Sequence, residues 1–279
     1  MSRIKDRFDA LAKRGRKALI PYITAGDPHP GQTVALMHTL VDAGADMIEV
    51  GVPFSDPMAD GPVIQAACDR ALVHNTSLRD VLEMVSDFRE HDSHTPIILM
   101  GYQNPVEVLG IAEFARRARQ SQVDGVLTVD LPLEQAGQTL EIYRKHGIDT
   151  VFLIAPTTSE ARIKKICEAS SGLIYYVSLK GVTGAGHLDI SQVKGKVREI
   201  RQYSTLPVGV GFGVRDAKSA KEIASVADAV IVGSALIRQI EAHLSDYDTM
   251  KKNVATLVKD MRDAMDSNAV VSDRSEVTS

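Results

Sequence analysis

Short apolar runs alternate with amphipathic helical stretches along nearly the whole chain, and this alternation limits the possible folds more than any other feature. The apolar runs read as strands at 18–25, 46–52, 96–102, 125–130, 150–156, 173–179, 207–213 and 229–233. Helical periodicity fills 32–43, 78–89, 106–120, 133–146, 160–169 and 217–224 between them. The runs lack polar alternation, as expected of parallel strands covered on both faces. About eight such units in tandem, with no linker, favour a closed (β/α)8 TIM barrel over an open sheet. A doubly wound sheet would want a glycine fingerprint after the first strand, and that place holds Thr24-Ala25-Gly26-Asp27-Pro28.

Ahead of the first strand, Ile4, Phe8 and Leu11 recur at helical spacing, which predicts an extra N-terminal helix. Residues 266–279 are polar and without a period, so a single barrel domain over 1–265 followed by a disordered tail is expected. A net charge of −4 and the lack of a basic stripe argue against a nucleic-acid partner. No apolar run approaches the roughly 20 residues of a membrane span. The N-terminus carries no apolar signal core, and Cys68 and Cys167 sit far apart in helical patterns. A cytoplasmic protein with reduced thiols is the expectation.

One residue breaks the pattern. Glu49 lies inside the apolar run Asp46-Met47-Ile48-Glu49-Val50-Gly51-Val52, and a Pro- and Gly-punctuated loop with Ser55, Asp56 and Asp60 follows at once. An unpaired carboxylate in such a strand costs several kcal/mol, roughly. Side chains alternate along a strand, so β-branched Ile48, Val50 and Val52 suit packing on helices, which turns Glu49 into the barrel. The competing reading is a structural carboxylate neutralised by a cation. No other candidate strand carries Lys or Arg within its body, and an acid without such a partner has a raised pKa and can give and take protons. Taken alone, Asp56 and Asp60 read as caps or turn formers, with Gly61-Pro62 as a helix start.

The last two units carry a second signal. Val-Gly-Phe-Gly-Val at 210–214 and Val-Gly-Ser-Ala-Leu at 232–236 place glycines after strands seven and eight, where barrel phosphate sites are often built. Gly181, Gly184 and Gly186 in the loop after strand six suit a lid. No strand carries the Lys of a Schiff-base aldolase, and the eight His residues lie mostly in helices or loops rather than at strand ends. Neither a nucleophile elbow nor a Walker loop is present. Cofactor-free and metal-free acid–base chemistry on a phosphorylated small molecule remains. An isomerase or epimerase on another phosphate-binding barrel, or a non-catalytic allosteric subunit, stays open at this point.

The run IEVGVPFSDPMADGPVIQAA (48–67) resembles the signature of the tryptophan synthase alpha chain family. The resemblance continues through PYITAGDP (21–28), LMGYQNPV (99–106), VDLP (129–132), FLIAPTT (152–158), YYVSLKGVTG (175–184), VGVGFGV (208–214) and VGSALI (232–237), and covers about residues 1–265. It implies a lyase that cleaves indole-3-glycerol phosphate to indole and glyceraldehyde 3-phosphate. By resemblance, Glu49 is the general acid–base and Asp60 holds the indole N–H. Tyr175 stands beside the acid, and Thr183 orders the lid around Asp60. Tyr22 and Met100 line the indole pocket, while Gly184, Gly213, Gly233 and Ser234 cradle the phosphate. The resemblance further implies a beta-chain partner that carries pyridoxal phosphate, in an alpha2-beta2 heterotetramer, with no cofactor in this chain.

Overall fold

The computed structural model describes residues 2–178, 189–211 and 213–267. Its strands are β1 (Ala18–Thr24), β2 (Ile48–Gly51), β3 (Ile97–Gly101), β4 (Gly125–Thr128), β5 (Asp149–Val151), β6 (Leu153–Ile154), β7 (Ile174–Val177), β8 (Val208–Gly211) and β9 (Ala229–Val232). All pair in parallel, in the order β5-β4-β3-β2-β1-β9-β8-β7-β6. The two ends of that order, β5 and β6, are separated in the chain by Phe152 alone, so the sheet is wound into a barrel and they are halves of its fifth strand. Seven of the eight apolar runs contain their strand and the fifth strand begins one residue ahead of its run, at Asp149, which bears out the (β/α)8 expectation.

Helix α1 (Arg3–Ala12) precedes the barrel. Along the chain follow α2 (Pro30–Asp42), α3 (Pro62–Val73), α4 (Leu78–Arg89), α5 (Gln103–Leu109), α6 (Ile111–Gln120), α7 (Gly137–Lys145), α8 (Glu160–Ala169), α9 (Ile190–Ile200), α10 (Ala217–Ala224), α11 (Ser234–Glu241) and α12 (Tyr247–Asp266). Neighbouring helices α2, α4, α6 and α7 pack in sequence around the barrel; α8, α9, α10 and α12 continue the ring, and α12 closes it against α2. Helices α3 and α11 pack on each other and on β1, outside that ring. Helix α12 is held in the ring by a stripe of Met250, Val254, Val258, Met261 and Met265, all buried at spacings of three and four. A capping box of Ser77 and Asp80 starts α4.

Two expectations are corrected here. The periodic stretch 106–120 is two helices, because Gly110 takes φ 88° and ends α5 while its carbonyl accepts the Phe114 N–H at 2.8 Å to begin α6. The polar tail begins later than 266: Asp266 still belongs to α12, tied to Arg262 and Arg16, and residues 268–279 lie outside the described residues.

The apolar interior forms two bodies. One lies between the outer strand faces and the helices and holds Ile48, Val50 and Val52. The other fills the barrel with Ala18, Ile20, Met47, Ile98, Leu127, Val151, Leu173, Ala229 and Ile231. Ile4, Phe8 and Leu11 of α1 join this second body, so the predicted N-terminal helix plugs the N-terminal end of the barrel. At that same end three aspartates recur just before a strand. Asp46 Oδ2 accepts the Leu19 N–H (2.9 Å), Asp124 Oδ2 that of Ile97 (2.8 Å) and Asp228 Oδ2 that of Val208 (3.0 Å). Each also meets cations: Arg262 on Asp46, Arg89 and Arg3 on Asp124, Arg201 and Lys17 on Asp228.

Candidate active site at the C-terminal mouth

Met47 belongs to the barrel interior and Ile48 to the helix-facing core, so Glu49 points into the barrel, as its alternation predicts. Its side chain is 2% exposed. Burial pushes its carboxyl up to about 8, and the charge of Asp60 adds to the rise. Among the described residues no hydrogen bond or ion pair reaches the Glu49 carboxyl. Asp46, Asp124 and Asp228 at the opposite end of the barrel have cationic partners; among the described residues Glu49 has none.

Asp60 ends the loop between β2 and α3 and is half-buried. It does not cap α3: Gly61 is the N-cap and makes no side-chain cap bond. Its Oδ2 instead accepts the Tyr102 hydroxyl at 2.8 Å. Burial raises the Asp60 carboxyl from its ordinary value, and the Tyr102 hydrogen bond opposes the rise. Asp56, in the same loop, faces solvent and accepts from Ser55 Oγ at 2.6 Å.

Aromatic side chains complete the lining, and two glycines give them room. Tyr22, across the β1–β2 register from Glu49, runs over Gly51, where a Cβ would lie 2.1 Å from the phenol oxygen. The Tyr22 and Thr24 hydroxyls are 3.1 Å apart. Tyr175, on the interior face of β7, lies over Gly211, where a Cβ would come within 2.4 Å of its oxygen. Burial raises both phenols well above the ordinary tyrosine range. After burial, the Glu49 and Asp60 charges act on Tyr175, while Cys68, Asp60 and Glu49 act on Tyr22, so both rings stand beside the acid pair. Met100, at the end of β3, shares the interior face with Ile98 and is half-buried.

The glycine turns are where barrel logic puts them. Gly213 follows β8, is exposed and has φ 79°. Gly233 is the N-cap of α11, and exposed Ser234 is its first residue. The first backbone hydrogen bonds of α11 run from Leu236 and Ile237 to the Gly233 carbonyl, and the Ser234 and Ala235 N–H groups ahead of them meet no backbone acceptor among the described residues, as suits an anion site. Tyr22 packs beside Gly233, 3.5 Å from where a Cβ would stand, so one ring joins the acid pair to the glycine turn. Thr183 and Gly184 lie outside the described residues.

Three neighbours of Asp60 do not stand out in the sequence. Tyr102 is 4% exposed, and it also accepts the Ala59 N–H at 3.1 Å. Gln65 donates to the Asp60 and Pro57 carbonyls at 2.7 and 3.4 Å. Cys68 is free and buried, its thiol pushed up to about 11 by burial against an opposing Phe54 backbone contact. Tyr102 has one usable signal, its position as the last residue of an apolar run, where barrel strands end in functional groups.

A family model described as tryptophan synthase alpha chain matches residues 8–266. The tryptophan synthase alpha chain of Thioalkalivibrio sulfidiphilus is 59% identical over 266 residues, covering 95% of this chain and 100% of that one. That of Nitrosococcus oceani is 57% identical over 267 residues, covering 96% and 98%. Among solved structures, the crystal structure of tryptophan synthase subunit alpha from Legionella pneumophila superposes with a TM-score of 0.88 at 44% identity, covering 96% of this chain and 99% of that one.

Proposed function

The chain belongs to the tryptophan synthase alpha chain family, and we propose that Glu49 and Asp60 carry out its reaction. That reaction is the cleavage of indole-3-glycerol phosphate to indole and glyceraldehyde 3-phosphate, a lyase step in tryptophan biosynthesis. The pyridoxal phosphate of tryptophan synthase belongs to the beta chain, which is the partner the family implies.

The observation that supports these roles best is the burial of the Glu49 carboxyl with no cation beside it among the described residues, which pushes it up to about 8. At neutral pH most of it is protonated, so it can place a proton on the indole carbon that bears the glycerol chain. The ring then carries positive charge, and the bond to the chain is ready to break. As a carboxylate, Glu49 takes the proton of the adjacent chain hydroxyl; that oxygen becomes the aldehyde, and the bonding electrons return to the indole ring. One proton is given and one regained, so the acid is regenerated without a co-reactant. Asp60 accepts the ring N–H, and its negative charge stabilises the positive ring more than the neutral substrate, which lowers the barrier to cleavage. Tyr175 walls the side of Glu49, and Tyr22 and Met100 offer the indole an apolar slot. Gly213, Gly233 and Ser234 offer backbone amides and a helix N-terminus to the phosphate. Thr183 and Gly184 complete the lid and the cradle in the same proposal.

The proposal extends to the assembly: an alpha2-beta2 heterotetramer in the cytoplasm, with a single barrel domain that runs to the end of α12. Among the described residues no helix is long and apolar enough to cross a membrane. The deciding experiment is Glu49→Gln, assayed for indole with the beta chain present. Indole release should fall by at least about 10³-fold, within the range of general acid–base catalysis. Binding of indole-3-glycerol phosphate should persist. Full turnover in that variant would remove Glu49 from the reaction.

A further inference from the structure

We propose that Tyr102 is a positioning residue, whose hydroxyl clamps Oδ2 of Asp60 so that Oδ1 is the oxygen left to meet the substrate's ring N–H. The inference rests on the role proposed above for Asp60. Its geometry is that of a fixed relay. The Tyr102 oxygen accepts the Ala59 N–H at 3.1 Å, which commits its own proton to Asp60 at 2.8 Å. The phenol cannot swing away, because its ring stacks on Phe54 with centroids 5.2 Å apart and planes 30° from parallel. Only 4% of Tyr102 is exposed, so water does not compete strongly for the bond. On the far side, Gln65 of α3 holds the Asp60 carbonyl at 2.7 Å. The loop after β2 is thereby tied to the end of β3 by one side chain and to α3 by another. Among the described residues no hydrogen bond occupies Asp60 Oδ1.

The clamp also acts on ionisation. Among the described residues, the groups that face Asp60 are Tyr22 from β1, Glu49 from β2, Cys68 from α3, Tyr102 from the end of β3 and Tyr175 from β7. None is cationic. With burial pushing the Asp60 carboxyl up, the Tyr102 hydroxyl is the group that lowers it. Among the described residues the Tyr102 hydroxyl, a neutral donor, is thus the group that favours the charged form of Asp60.

The test is a double-mutant cycle with Tyr102→Phe and Asp60→Asn, read as kcat, KM and the pH profile of kcat/KM. Phe keeps the ring stack on Phe54, and a thermal melt checks that the variant is folded. Tyr102→Phe should lower kcat by about 10- to 100-fold with KM within about 2-fold, the size of one lost charge-assisted hydrogen bond. Its acid limb should move to higher pH, because Asp60 loses the donor that lowers its pKa. In the Asp60→Asn background Tyr102→Phe should have no further effect. Additive losses with an unmoved acid limb would overturn the clamp while leaving Asp60 in its role. Full activity of Asp60→Asn would overturn both. A titration of the Asp60 carboxyl by ¹³C NMR in folded Tyr102→Phe tests the clamp without turnover: the midpoint should rise, and an unchanged midpoint overturns the clamp.

Discussion

Glu49 titrates inside the fold, and that couples the stability of the chain to pH. Its carboxyl has an ordinary value of 4.5 and sits at about 8 when folded. Between those values the folded state holds a proton that the unfolded state has released, so stability falls as pH rises through the window. The loss is complete above about 8. Glu49→Gln keeps the shape without the charge, so it should unfold at higher denaturant than the parent at pH 9, by about 3–5 kcal/mol. At pH 4 the two should nearly coincide, and urea titrations at the two pH values measure the contrast. Gly51 and Gly211 are residue-scale constraints of another kind. Gly51→Ala would drive a methyl into the Tyr22 oxygen, and displacing that rigid ring should cost about 1–3 kcal/mol and weaken substrate binding. A melt and a KM measurement check it. The facing direction of Glu49 was legible in the sequence, since alternation within one strand fixes it. The Tyr102–Asp60 bond was not, because it joins residues 42 apart through the path of a loop.

At the scale of the element, the strands were legible and their latches were not. Apolar runs mark a doubly covered strand wherever it falls. Ala45-Asp46, Val123-Asp124 and Ala227-Asp228 repeat a small-or-apolar residue and an aspartate just ahead of a strand, a pattern that becomes meaningful only when each carboxylate is seen on the neighbouring strand's N–H. Helix α12 was equally hidden, although Met250 to Met265 form its buried stripe, because nothing local says which helix closes a ring. The single helix expected over 106–120 failed at Gly110, whose φ of 88° is a property of the turn rather than of the flanking pattern. Arg262 joins these elements: from α12 it reaches Asp46 at 3.0 Å and the Lys17 carbonyl at 2.9 Å. Arg262→Ala leaves Asp46, itself 5% exposed, without its cation and should cost about 3–5 kcal/mol. Pairing it with Asp46→Asn should recover part of that loss in a thermal double-mutant cycle.

Over the whole molecule, the two ends of the barrel are chemically opposite. One is plugged by α1 and ringed by carboxylates that cations neutralise; the other keeps two carboxyl groups among tyrosines, with no cation beside them among the described residues. The plug is testable. Ile4 is fully buried against the barrel floor, where a Cβ on Gly125 would be 3.0 Å from its terminal methyl. Ile4→Ala should cost about 2–4 kcal/mol without changing the pH profile of turnover, as measured by denaturant melts and an indole assay. Barrel closure was legible from the count of units, whereas the split between ring helices and capping helices depended on contacts that no single segment encodes.

The aspartate latches have a consequence for how such a chain can change over generations. They tie three of the strand pairs together at the floor, using residues that lie outside every loop of the mouth. Insertions or exchanges in those loops therefore leave these three ties untouched. A lineage can rewrite its substrate while inheriting its architecture unchanged.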